Sequence, residues 1–234
     1  MHRLRYGQLC PIAKAAEVLG ERWTILIIRE LLVGNSRYSG LQRALSRLSP
    51  TLLTRRLKQL QACGLVVRTP VSGRARAEYR LSPAGRELEP VVLGLGQWGM
   101  KWARGQMRAD ELDVQMLMVD FARRIDPAGL PARRTVLEFD IPSLPRFSRW
   151  WIVREAGGAH ELCVNHPGHD VNLTLHLNLR TLAEIWTGDI SVAAARRAGR
   201  LTVSGDPGLA RTLATWLRPG ALAHIRPHPA GLKV

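Results

Sequence analysis

The chain has 234 residues, enough for two domains that each bury a hydrophobic core of their own. Hydrophobic residues make up 46% and charged residues 23%, a globular composition that excludes a disordered chain. Three cysteines at scattered positions exclude a disulfide scaffold and a four-ligand zinc site. No apolar run has the length or flanks of a membrane span or a signal peptide. We therefore expect a cytoplasmic protein with no membrane partner.

The net charge of +15 lies mostly in the first half of the chain. Residues 1–105 contain 18 Lys/Arg and 6 Asp/Glu, a balance of +12, whereas residues 106–234 contain 16 and 13, a balance of +3. Arginine provides 30 of the 34 basic residues, a bias that genome composition can also produce. Such a bias would not concentrate the basic residues in one half of the chain. A domain this basic usually binds a polyanion, so the first half is predicted to bind double-stranded DNA.

The first half is predicted to contain helices followed by a two-stranded hairpin. Apolar spacing predicts helices over 11–19, 22–33 and 38–45. Ser49-Pro50 is an N-cap followed by proline at the first helical position, and it begins a fourth helix that runs to Cys63. Strands over 65–69 and 78–81 enclose a basic loop, and Ser82-Pro83 begins a long helix to about residue 104. This order predicts a winged helix-turn-helix domain.

The fourth helix has the composition of a DNA recognition helix. Its leucines occupy one face, while hydroxyl and basic side chains repeat at i, i+3, i+4 and i+7 on another. Arginine binds guanine bidentately, and short hydroxyls contact bases or phosphates. Any amphipathic helix has a polar face and any hairpin has a solvated turn, but the charge of this half favours DNA contact. The candidate DNA-binding residues are Ser49, Thr51, Thr54, Arg55 and Lys58 in the helix, with Arg74 and Arg76 in the wing.

Short signatures in a fixed order over about residues 9–100 resemble the HxlR family of bacterial winged-helix regulators. They include Cys10-Pro11, Gly20-Glu21-Arg22-Trp23-Thr24, Ser49-Pro50-Thr51-Leu52-Leu53, Gly64-Leu65-Val66 and Glu78-Tyr79-Arg80-Leu81-Ser82. The resemblance implies a homodimer built on the N- and C-terminal helices that binds a pseudo-palindromic operator. We expect Leu88, Val92, Leu95 and Trp102 of the long helix to form its side of that interface. The wing, with Gly73-Arg74-Ala75-Arg76, is shorter than in many members.

Cys10 is a candidate redox residue because it precedes Pro11 at the start of the first helix. The helix dipole stabilises a thiolate there, and Arg3, Arg5 and Lys14 add positive charge nearby in the sequence. Some members that the chain resembles sense electrophiles or oxidants through a cysteine at this position. The alternative is a small buried apolar residue, a common role for cysteine.

The second half changes to an α+β pattern. Strands are predicted over 135–139, 150–155, 160–165, 171–177 and 200–204, and helices over 179–186, 190–198 and 206–217. We expect a mainly antiparallel sheet. The predicted domains are 1–105 for DNA binding and dimerisation, 106–132 as a helical linker, and 133–234 as a ligand-binding domain.

The second half resembles, more weakly, the sterol-carrier-protein-2 fold. The residues that carry this resemblance include Asn172-Leu173-Thr174-Leu175, the stretch 179–189 ending in Trp186-Thr187-Gly188-Asp189, and 200–206. The resemblance implies a sheet covered by helices around an apolar tunnel for a lipophilic small molecule. Candidate pocket residues are Trp150, Leu175, Leu182, Trp186, Leu213 and Trp216. The alternative is that these large side chains fill the tunnel and form core.

The sequence gives no support for catalysis, a metal site or a cofactor. His160, His166, His169, Asp170 and His176 match no metal-binding motif, and no nucleophile elbow or phosphate loop is present. The predicted function is a DNA-binding transcriptional regulator with an apolar effector. Two alternatives remain open: a regulator that is switched at Cys10 with a purely structural tail, and a lipid carrier whose basic half contacts anionic membrane.

Overall fold

The computed structural model describes residues 5–70, 77–158 and 160–232. The chain forms two compact units, Met1–Gly96 and Gln97–Val234. Within the described residues, none of the helices has the length and apolarity needed to cross a membrane. The fold is mixed α and β: the first unit is mostly helical, and the second is built around a five-stranded sheet.

The first unit consists of helices followed by a hairpin, as predicted. In chain order its elements are α1 (Pro11–Leu19), α2 (Thr24–Leu32), α3 (Tyr38–Ala44), α4 (Pro50–Ala62), β1 (Val66–Pro70), β2 (Ala77–Leu81), α5 (Pro83–Arg86) and α6 (Glu89–Trp98), which ends just past the boundary between the units. The predicted cap at Ser49 is confirmed, because its side chain accepts a hydrogen bond from the backbone N–H of Leu52. Ser82 caps α5 in the same way through Gly85.

One hydrophobic core holds the first unit together. Buried side chains of α2, α3, α4 and the hairpin meet in it, including Ile27, Ile28, Leu41, Leu53, Leu57 and Leu81. The leucines of α4 thus face inward, as their spacing predicts. The polar face of α4 is therefore turned toward solvent.

The prediction of one long helix over 82–104 is wrong, because the segment is interrupted. After α5 the chain makes a tight turn, and α6 begins at Glu89. Beyond α6 the backbone widens into a π-helical turn at Gly99–Ala103 and then tightens into a 3-10 turn at Arg104–Gln106. Gly94 and Gly96 lie inside α6 and do not interrupt it, whereas Gly99, a residue of low helix propensity, begins the π-helical turn.

The second unit carries a mixed sheet of strand order β5-β4-β3-β6-β7. Only the β3–β6 pair is parallel, so the expected mainly antiparallel sheet is confirmed. Its elements after the turns are α7 (Val114–Arg124), β3 (Thr135–Asp140), β4 (Arg149–Arg154), β5 (His160–Cys163), β6 (Leu173–Leu177), α8 (Leu179–Thr187), α9 (Val192–Arg197), β7 (Leu201–Gly205), α10 (Pro207–Arg211) and α11 (Leu213–Trp216). The predicted last helix is two short ones, which divide at Thr212.

The sheet of the second unit has an inner face and an outer face. Side chains of the inner face pack with helices α7 to α11 into one large core, which contains Leu137, Phe139, Ile152, Leu173 and Leu175. A small separate cluster around Val136, Trp151 and Val153 lies on the outer face. The helices therefore cover one side of the sheet.

The C-terminal segment closes on the π-helical turn that begins this unit. The backbone N–H of His228 donates to the carbonyl oxygen of Lys101 at 2.6 Å, and that of Leu232 donates to the carbonyl oxygen of Trp102 at 2.8 Å. The rings of Trp102 and His228 stack with centroids 4.2 Å apart. Arg104 of the following 3-10 turn forms an ion pair with Asp189 at the end of α8. The turn is thus fixed to the body of the second unit.

Candidate nucleic-acid interface

Helix α4 presents one buried face and one exposed polar face. Leu53, Leu57 and Leu60 are buried in the core of the first unit. Thr51, Thr54, Arg55 and Lys58 are all exposed, so the structure brings the four predicted residues together on the solvent side. Neither Arg55 nor Lys58 takes part in the ion pairs found among the described residues. Both cations are thus available to an external anion.

A buried arginine fixes the position of α4. The Arg56 guanidinium forms an ion pair with Glu21 at 2.5 Å, donates to the carbonyl oxygen of Arg22 at 3.0 Å, and donates to Gln59 Oε1 at 2.7 Å. These bonds join α4 to the turn before α2, where Trp23 adopts a left-handed conformation with φ of 79°. Sequence reasoning missed this role. The signal was an arginine next to Leu57 on the otherwise apolar face of α4.

Two of the predicted hydroxyl contacts are already engaged within the protein. Ser49 Oγ accepts from the backbone N–H of Leu52 at 3.3 Å. The Tyr38 hydroxyl donates to the carbonyl oxygen of Pro50 at 2.8 Å and lies 3.2 Å from Thr54 Oγ1. Ser49 and Thr54 therefore help to position the N-terminal end of α4, while Thr51 and the two cations keep their full hydrogen-bonding capacity.

The hairpin lies beside α3, as a wing requires. Strands β1 and β2 pair antiparallel from Val66↔Leu81 to Pro70↔Ala77, and Tyr79 donates its backbone N–H to the carbonyl oxygen of Ser36 at 2.7 Å. Arg74 and Arg76, predicted at the tip, lie outside the described residues. The sequence reasoning did not select three exposed basic residues of this unit, Arg43, Arg47 and Arg68.

Helix α6 exposes an apolar stripe that differs from the predicted one. Leu88 and Val92 pack against the core of the first unit, and Trp102 stacks on His228, so the predicted set does not form one free face. Instead Val91, Leu95 and Trp98, at i, i+4 and i+7, are 47%, 47% and 51% exposed. On α1, Ile12 is exposed as well.

Cys10 occupies the N-cap position of α1 with its backbone extended and its side chain partly buried. Its side chain makes no capping hydrogen bond, so the thiol is not held by the first turn. Lys14, one turn along, pairs with Glu17 at 2.9 Å, which partly cancels the positive charge that the sequence placed near the thiol. Arg3 lies outside the described residues. Cys63 and Cys163 are partly buried.

The six candidate pocket residues lie within or against the core of the second unit. Trp150, Leu175, Leu182, Leu213 and Trp216 are buried members of the cluster on the inner face, and Trp186 packs against it. Trp186 donates its indole N–H to Asp120 Oδ2 at 2.7 Å, and Trp216 donates to the carbonyl oxygen of Leu209 at 3.2 Å. The indole nitrogen of Trp150, by contrast, is buried and has no hydrogen-bond partner among the described residues. The six side chains thus form part of a packed core in which one indole N–H is unsatisfied.

The histidine-rich loop shows no metal-binding geometry. No group of three or more His, Cys, Asp or Glu side chains within the described part of the chain could hold a metal ion. His166 packs on its edge against Trp151 with centroids 5.5 Å apart, and His169 Nδ1 lies 3.4 Å from the Arg134 guanidinium.

A helical core, an outward polar helix and an adjoining hairpin define the first unit as a winged helix-turn-helix domain of the kind found in transcriptional regulators. Residues 18–107 match the HxlR-like helix-turn-helix family, and residues 127–218 match the SCP-2 sterol transfer family. The chain belongs to the HxlR family of transcriptional regulators and carries an SCP-2 domain in its second unit.

Relatives with curated descriptions match the first half of the chain. The HTH-type transcriptional regulator YvaP of Bacillus subtilis is 36% identical over 105 residues, which cover 42% of this chain and 94% of YvaP. An HTH-type transcriptional regulator of Synechocystis is 37% identical over 97 residues, which cover 41% of this chain and 72% of the relative. These homologues are described as regulators and not as enzymes.

Among solved structures, the reduced form of the transcriptional regulator YodB from B. subtilis is 29% identical. The match covers 39% of this chain and 92% of YodB, with a TM-score of 0.36.

Proposed function

We propose that the protein binds a pseudo-palindromic operator as a homodimer, with α4 of each protomer in the major groove. The observation that carries this proposal is the exposed face of α4, on which Thr51, Arg55 and Lys58 lie outside the internal bonds that fix the helix. In this proposal Arg55 contacts a base and Lys58 a phosphate. Sequencing the DNA fragments that the purified protein retains, followed by a salt-titrated mobility shift, tests this directly. Equal affinity for selected and random fragments would refute operator binding.

The remaining candidate residues are assigned to the DNA backbone. In this proposal Ser49, Thr54, Arg74 and Arg76 contribute phosphate contacts or position those that do. Each lost phosphate contact lowers the slope of log affinity against log salt by about one unit. Arg74→Ala and Arg76→Ala should therefore weaken binding to all sequences and flatten that slope. An unchanged slope would remove the wing from the interface.

The proposed homodimer uses the apolar stripe of α6 together with α1. Half-exposed Val91, Leu95 and Trp98 form one side of α6, and a second copy would bury them by two-fold symmetry. Two recognition helices on one side of DNA then require half-sites about one helical turn apart.

We further propose that the second unit adjusts operator binding through a lipophilic small molecule. The match to the SCP-2 family supports a ligand of this class. Arg104 and Trp102 fix the turn after α6 to this unit, and the chain is continuous from that turn into α6. A ligand acts in this way only if it binds two conformations with different affinity.

A panel of lipophilic compounds tests the ligand role. Binding should raise the melting temperature, quench tryptophan fluorescence and shift operator affinity. The ligand should change the affinity for the operator by the same factor by which the operator changes the affinity for the ligand. If none of these effects occurs, the six pocket candidates act as structural core. A pure lipid carrier would instead bind such compounds without binding DNA.

Switching at Cys10 is the second candidate for control. Its position at the N-terminal end of a helix with no capping bond favours it. An oxidant or quinone should then release the operator from the natural chain but not from the Cys10→Ser variant.

A further inference from the structure

The inner face of β4 ends in a buried cation, Arg154, that has no counter-charge among the described residues. Arg154 is only 7% exposed, and it follows Trp150 and Ile152 at alternate positions that face the core. Its Nη1 donates to the carbonyl oxygen of Pro131, whereas its Nε is buried and has no hydrogen-bond partner. The neighbouring carboxylate of Glu155 pairs with Arg134 instead.

The other well-buried arginines of the described chain differ in this respect. The side chains of Arg56 and Arg104 are 8% and 11% exposed, and each has a carboxylate, Glu21 and Asp189 respectively. A buried charge without a partner is costly, and natural proteins seldom keep one without a compensating group. Among the described residues, no carboxylate stands within ion-pair distance of Arg154.

A second unpartnered group lies beside this arginine. His160 of β5 is the direct cross-strand neighbour of Arg154, so both side chains project from the inner face. Its Nε2 is buried and makes no hydrogen bond. Burial lowers the pKa of His160, and the positive charge of Arg154 lowers it further. Two residues that are direct cross-strand neighbours at one end of an apolar face thus each carry an unsatisfied buried nitrogen.

We propose that Arg154 and His160 form an anion-binding site for the carboxylate of a mainly apolar acid. The Nε edge of a guanidinium binds a carboxylate bidentately, and His160 would supply a further hydrogen bond. Ile152 and Trp150, the next inward residues on β4, place the apolar core beside this site. The inference rests on the proposed ligand response of the second unit and specifies the chemistry of the ligand.

Calorimetric titration of the full chain tests the site with matched probes. Dodecanoate, dodecanol, acetate and inorganic phosphate separate the charged head from the apolar chain. Dodecanoate should bind at least about tenfold more tightly than dodecanol, since a hydrogen-bonded charge contributes at least that factor. Arg154→Met should abolish this preference. Arg149→Met is the matched control, because Arg149 lies on the same strand with its exposed side chain near Glu138 and Asp140.

The outcomes distinguish the anion site from the ligand role. Equal affinities of dodecanoate and dodecanol for the unaltered protein would overturn the anion site and leave the lipophilic response standing. If acetate or phosphate binds but dodecanoate and dodecanol do not, and if Arg154→Met loses that binding, the anion site is supported and the apolar ligand is refuted. No binding of any probe would refute both. If Arg154→Met does not fold, Arg154→Lys keeps the charge but loses the bidentate edge, and unaltered preference in it would also refute the bidentate contact.

Discussion

The exposed stripe on α6 allows the strength of the proposed dimer to be worked out from the structure. Leu95 and Trp98 are 47% and 51% exposed, so a partner could bury about half of each side chain. Full burial of such a side chain is worth about 1.5–3 kcal/mol, so half is worth about 1 kcal/mol. Each residue occurs twice in a two-fold interface, and truncating both to alanine should therefore cost about 4 kcal/mol, or roughly a thousandfold in dimer dissociation constant.

Sedimentation equilibrium over a wide range of protein concentration measures this effect for Leu95→Ala/Trp98→Ala. The matched control is Leu93→Ala, because Leu93 is 46% exposed but projects from another side of α6. Circular dichroism should show unchanged helix content in both variants, since alanine favours helix. A double variant that dimerises like the unaltered chain, or a control that weakens equally, would show that this stripe is not the interface.

Three further changes test the DNA-binding unit. Arg55→Ala should weaken operator binding by about 1–3 kcal/mol while affecting random DNA little; an equal loss on both, in a mobility shift, would reassign Arg55 to phosphate contact. Arg56→Met should lower the free energy of unfolding by about 3 kcal/mol in urea titrations because it leaves Glu21 unpaired, and an unchanged midpoint would contradict the anchoring role. Cys10→Ser should leave operator affinity unaltered in reducing buffer and make it insensitive to quinones; equal sensitivity of both proteins would exclude Cys10 as the switch.

Local signals in the sequence were enough to locate most elements. Ser49-Pro50 and Asp206-Pro207 each begin a helix where predicted, because capping depends on residues next to one another. The face of α6 could not be chosen in this way. Its sequence, EPVVLGLGQW, is apolar on nearly every side, so periodicity does not show which residues meet the core.

The candidate sites differ in the same respect: some depend on local sequence and others on tertiary contacts. The polar face of α4 follows from helical spacing alone and was predicted in full. The pairing of Arg154 with His160 depends on the register between β4 and β5, which the sequence does not contain. The bonds of Arg56 to the turn before α2 are likewise tertiary, although an arginine among leucines on one face marks the position.

Because the C-terminal segment bonds to Trp102, the two units become complete at different times during synthesis. All residues of the first unit precede Gln97, so it can fold while the second is still being translated. The second unit is complete only when His228 and Leu232, which bond to its first turn, have also been made. Val91 and Leu95 of α6 belong to the first unit and are therefore made before the second unit is complete. In the proposed dimer, these side chains can then meet a neighbouring chain on the same messenger while both chains are still being translated.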